Sequence, residues 1–162
     1  MKCLSLRHPW CHLVLFYGKS IENRKWNTAF RGEFLIHAST TMTHADYRDA
    51  EVCAIEALSW TDADCAAFKR DFENRARFGG IVGRARLVDV VKPWVADLGR
   101  PPNPVMPMDL LERFYPSTVN PKWHMRNQYG FILTDVAALP FVPLRGRLNF
   151  FEVPADLVPE AS

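Results

Sequence analysis

The chain contains no apolar run near the roughly 20 residues needed to cross a bilayer, so no membrane association is expected. Its first ten residues, MKCLSLRHPW, lack the apolar stretch of a secretory leader. A cytoplasmic protein is the expectation. It also lacks paired cysteines. Cys3, Cys11, Cys53 and Cys65 stand singly, with no C-x-x-C among them, which argues for reduced thiols rather than a disulfide scaffold. No internal repeat or low-complexity tract is present, which excludes solenoid and collagen-like chains. Neither sign of charge dominates: 20 Lys and Arg stand against 18 Asp and Glu, so the whole chain is not a polycation.

What remains is an ordinary globular composition, 48% apolar and 23% charged over 162 residues. That length predicts a single domain, 1–162, with a core that needs no staples. A monomer is the default. The charge is unevenly spread. Residues 1–36 hold six Lys or Arg and two acids, whereas 43–76 hold four and eight. An electropositive face from the N-terminal third, backed by acidic helices, is therefore expected.

The pattern predicts a strand over 3–6 and a helix over 9–17, with Pro9 as its first residue and Gly18 ending it in a left-handed conformation. A strand over 20–26 follows, then a turn at 27–31 and a buried strand over 32–38. Two helices are predicted at 44–57 and 61–75, capped by Ser39 or Thr43 and by Thr61 or Asp62. Further strands are predicted at 81–91, 128–133, 140–143 and 148–153. Residues 93–121 hold seven of the twelve prolines and read as an irregular insertion with one short helix at 108–115. Trp94 and Trp123 flank it. Strands at both ends with helices between them predict an α+β domain on a small mixed β-barrel, not a doubly wound sheet.

The chemically informative segment is Gly18-Lys19-Ser20-Ile21-Glu22-Asn23-Arg24. Period-two alternation puts Glu22, Arg24 and Trp26 on one strand face, with Lys19 just before the strand. Such a cluster either binds a phosphate or carboxylate and orients a base, or is a salt-bridge network serving structure alone. His8 and His12 are four apart, but Pro9 between them puts His8 outside the helix, so no metal is expected. His37 and Ser39 share a strand face. With no orienting acid they read as local structure: Ser39 as a cap or ligand contact, His37 as a partly buried partner.

The segment G-K-S-I-E-N-R resembles the G-x-K-x-x-E-x-R signature of the ASCH domain, the activating-signal-cointegrator homology domain of the PUA-like superfamily. Leu4-Ser5-Leu6-Arg7-His8-Pro9-Trp10 is similar to the family's L-S-I-R-Q-P-W opening, with His8 where Gln is usual. Asn23-Arg24-Lys25-Trp26, Arg31-Gly32 with Ile36-His37-Ala38-Ser39, Gly80–Gly83 with Leu87–Asp89, and Tyr129–Leu133 resemble further motifs in order. The likeness covers most of 3–153 apart from 93–121. It implies a PUA-like barrel with flanking helices and a cleft between barrel and helix, lined by Lys19, Glu22 and Arg24. It further implies RNA, single-stranded nucleic acid or a modified nucleotide as partner, with no cofactor. Lys19, Arg24 and Arg31 would hold phosphates, and Arg7 is a further ligand-binding candidate. Trp10, Trp26 and Tyr129 would stack a base, and Glu22, Asn23 and Ser39 would contact it.

Two further readings compete. Some short ASCH proteins resemble amidohydrolases acting on modified cytidine, and Lys19 matches their catalytic Lys. Glu22, however, occupies the place of their hydroxyl residue. A ribonuclease would use Lys19 and Glu22, or His37, as acid and base. The last reading is a protein-interaction adaptor that uses 93–121 as its contact surface.

Overall fold

The computed structural model describes residues 1–93 and 119–158. The insertion's predicted helix at 108–115 and Trp94 lie outside the described residues. Strand β1, Lys2–Leu6, leads through a cis His8–Pro9 bond into helix α1, Trp10–Phe16. Pro9 is the N-cap rather than the first helical residue. Gly18 takes φ +68, the left-handed conformation expected of a residue that turns the chain away from a helix end.

Strand β2 is shorter than the alternation predicts, Ile21–Arg24. Its partner is β5, Tyr129–Pro143, and the paired register ends at Arg24 opposite Tyr129. Trp26 therefore lies beyond the ladder. Strand β3, Gly32–Ala38, is followed by α2, His44–Leu58, and α3, Asp62–Arg75. Thr43 and Thr61 cap these helices, each in a reciprocal box with an aspartate, Asp46 and Asp64. Ser39 caps neither. Strand β4, Gly80–Val91, then runs antiparallel to β3 and β5. A 3-10 turn at Pro121–Trp123 and the short β6, Phe150–Glu152, complete the part that positions the site.

The order across the sheet is β2-β5-β4-β3-β1-β6. Only β1 and β3 run parallel; the other pairs are antiparallel. The mixed six-stranded sheet curls into a half-barrel, with register shifts along β3, β4 and β5 of the kind that bend strands and add twist. The two edge strands approach each other without pairing. Across the seam Arg24 Nη2 donates to the Ser5 carbonyl at 2.6 Å. The Trp26 ring meets Phe150 edge-on at 6.0 Å. Leu4, Leu6, Phe34, Ile36, Leu87 and Phe131 fill the barrel side of the core, while Leu13, Ile21, Ala54, Phe68, Trp123 and Ile132 join the sheet to the helices. No helix among the described residues is long and apolar enough to cross a membrane.

Candidate functional site

Lys19 is delivered by the turn that ends α1. Its amide donates to the Leu13 carbonyl at 3.2 Å, and its side chain is only 1% exposed. The ammonium donates to the Ile21 carbonyl and to Glu22 Oε2 at 3.2 Å, and lies 5.6 Å from the centre of the Trp10 ring. The other oxygen of the same carboxylate, Glu22 Oε1, is 3.1 Å from Arg24 Nη2. Glu22 is 9% exposed and Arg24 21%. The result is a largely buried row of cation, anion, cation with net charge +1.

Burial is the larger influence on Lys19 and pushes its pKa down; the attraction of Glu22 opposes it. Arg24 Nε is buried with no hydrogen-bond partner among the described residues, and so is the hydroxyl of Ser20, next in the chain to Lys19. Buried polar groups are rarely left so. The cluster therefore has spare capacity to donate to an incoming acceptor oxygen, as well as a positive charge to hold it.

The other predicted residues are placed differently. Trp10, the first residue of α1, is half-buried beside Lys19 and packs against the cluster that joins the sheet to the helices. Asn23 turns away from the cluster, donating to the Trp123 carbonyl at 2.9 Å and accepting from the Met125 amide at 2.8 Å, so it anchors the segment after the insertion. Tyr129 stands opposite Arg24 in the β2–β5 ladder and is half-buried. Arg7 is exposed and pairs with Asp46 at 3.1 Å, which ties it to the start of α2. Arg31 is exposed, bonds the Thr28 and Phe30 carbonyls and pairs with Asp89. Ser39 donates to the Thr41 carbonyl at 3.0 Å. Trp26 packs edge-on against Phe131 and Phe150. Lys19, Glu22, Arg24 and Trp10 thus come together, while Arg7, Arg31 and Ser39 are held elsewhere by partners of their own.

The histidines are used structurally. His8 Nε2 bonds the Arg77 carbonyl at 2.9 Å, and burial pushes its pKa down to about 4. His12 Nε2 lies 2.8 Å from Asp71 Oδ2, which also accepts from Tyr17. Among the described residues no group of His, Cys, Asp and Glu is placed to hold a metal. Cys3 and Cys11 are buried, and burial raises both thiols, Cys3 to about 12.

Residue-pattern reasoning missed Ser5. It stands beside His37 in the parallel β1–β3 register, and its carbonyl holds Arg24. His37 Nε2 meets the Leu144 carbonyl at 2.9 Å, so the partner of His37 lies across the sheet and not in the same strand. No sequence signal reports that register.

Fold and site together define an α+β half-barrel with a buried Lys-Glu-Arg row at the junction of helix and sheet. The comparisons find no matching family model and no matching curated protein.

Proposed function

We propose that the protein binds single-stranded nucleic acid or a modified nucleotide, with Lys19, Glu22 and Arg24 recognising one nucleotide. The observation that carries this reading is Arg24 Nε, which has no partner among the described residues, inside a buried cluster of net charge +1. A buried donor without an acceptor is costly, and a ligand oxygen would relieve that cost. The carbonyl of a base or an anionic oxygen supplies that acceptor, and Glu22 offers oxygens to the ring's N–H groups. The resemblance of Gly18–Arg24 to the ASCH signature supports the same ligand class. The burial of Lys19 favours a single nucleotide entering the cluster over a duplex lying on the surface. Calorimetric titration with ordinary and modified mononucleotides tests it. Wild type is expected to bind at least one, and Lys19→Met to bind it at least tenfold more weakly with its circular dichroism intact. Equal affinities would refute the role of Lys19.

The lowered pKa of Lys19 favours a hydrolase as second reading, since a lysine so tuned can act as a general base. The Ser20 hydroxyl, buried and without a partner among the described residues, is the hydroxyl next in sequence to Lys19 and would stand in for the hydroxyl residue that Glu22 replaces. Product analysis of the same mixtures discriminates. Turnover retained in Lys19→Arg would contradict a lysine base, because arginine keeps the charge but does not give up its proton.

A further inference from the structure

A second set of groups lies along the barrel seam. A depression of about 360 Å³ is lined by Trp26, Asn27, Thr28, Asn149 and Phe150. Its lining comes from 26–28 and 149–150, and the chain flanking these residues, 25–31 and 144–150, carries four cations and no acid: Lys25, Arg31, Arg145 and Arg147. Arg31 is paired with Asp89. Lys25, Arg145 and Arg147 are exposed and have no acidic partner among the described residues. Next to them Leu148 is 91% exposed.

The loop that carries the two arginines is pinned. The Leu144 carbonyl meets His37 Nε2 at 2.9 Å, and the Arg147 carbonyl accepts from the Ser5 hydroxyl at 3.1 Å. Gly146 lies so close beneath that a Cβ there would fall 2.5 Å from His37 Cε1 and 2.8 Å from Ser5 Oγ. Only glycine permits this approach. The His37 ring and the Ser5 hydroxyl thus seat a cationic loop near the hollow, while the Ser5 carbonyl holds Arg24.

We infer that this seam is a second subsite for single-stranded nucleic acid, where Arg145 and Arg147 hold two backbone phosphates and a neighbouring base stacks in the hollow on Trp26. Free cations interleaved with rings and side-chain amides are what a single strand requires. The buried Lys19 row cannot meet a series of phosphates; the exposed loop can. The inference rests on the nucleotide-binding reading of the Lys19 cluster, and it adds the surface on which a polymer gains over a monomer.

The test is a titration of wild type, Arg145→Ala/Arg147→Ala and Gly146→Ala with a fluorescent ten-nucleotide oligouridine at several salt concentrations, and with a mononucleotide that binds wild type. The double variant is expected to bind the oligomer about tenfold more weakly, and its log-affinity against log-salt slope to fall by about 1.4, or 0.7 for each lost phosphate contact. Gly146→Ala keeps both charges but displaces the loop, and is expected to lose a similar factor. Mononucleotide binding is expected to stay unchanged in the double variant. An unchanged oligomer affinity and slope in the double variant would overturn the seam subsite, as would a wild type that binds no oligomer. Competition by an oligoglutamate of equal charge at equal concentration would also overturn it, because a stacked base would then contribute nothing. Failure of the Lys19 reading looks different: mononucleotide binding would survive Lys19→Met.

Discussion

Glu22 sits between two cations, with one oxygen on Lys19 and the other on Arg24. Removing the central carboxylate leaves two like charges facing each other in a nearly dry site. Glu22→Gln is therefore expected to destabilise the protein by about 3–5 kcal/mol, the cost of breaking a buried pair from one side, read as a lower midpoint in urea unfolding. An unchanged midpoint would mean that water reaches the site freely. His8 makes a second prediction. Its folded pKa, about 4, lies below the ordinary 6.5 because burial disfavours the charged ring. The unfolded chain thus binds the proton more readily. Stability from this group is complete above pH 6.5 and is lost as pH falls to about 4, by about 3 kcal/mol. His8→Gln, which does not titrate, is expected to flatten the stability profile across that window. The grouping of Lys19, Glu22 and Arg24 was legible in the sequence because two periodicities, a helix end and a strand, place them locally. The holding of Arg24 by Ser5 was not legible, because it depends on the edge strand β2 meeting β1 across a curled sheet.

The elements were legible where local chemistry decides them. Thr43 and Thr61, each followed three residues later by aspartate, mark helix starts that the structure reproduces. Thr43→Ala is expected to cost about 1 kcal/mol of stability in urea unfolding, with no effect on nucleotide affinity, since the cap is remote from Lys19. A loss of affinity would instead tie α2 to the site. Strand β5 was harder to read. The sequence predicts two strands, at 128–133 and 140–143, separated by the six residues Thr134-Asp135-Val136-Ala137-Ala138-Leu139. The structure has one strand of 15 residues. Its pairing with β2 covers only Tyr129–Ile132, so beyond that point β5 has β4 on one side alone. A free side accommodates Pro140 without the loss of a ladder bond. The alternation fades there because the strand no longer divides core from solvent along its whole length.

At the scale of the molecule, the curled mixed sheet and its helices follow the predicted α+β class, while contact across the open side of the half-barrel depends on side chains. Arg24 to the Ser5 carbonyl and Trp26 against Phe150 bridge edges that share no ladder. The proposed recognition is divided in the same way: the buried row reads one nucleotide, and the exposed loop at the seam holds the strand. The two contributions separate by salt. A buried cluster adds affinity that varies little with ionic strength, whereas exposed arginines release counterions. The most direct measurement is therefore the affinity of wild type and Lys19→Met for a short single-stranded RNA, each at about 50 and 200 mM salt. Two parallel lines are expected, with the variant at least tenfold weaker at both concentrations and the same salt slope. Superimposed lines would contradict the placing of recognition at Lys19.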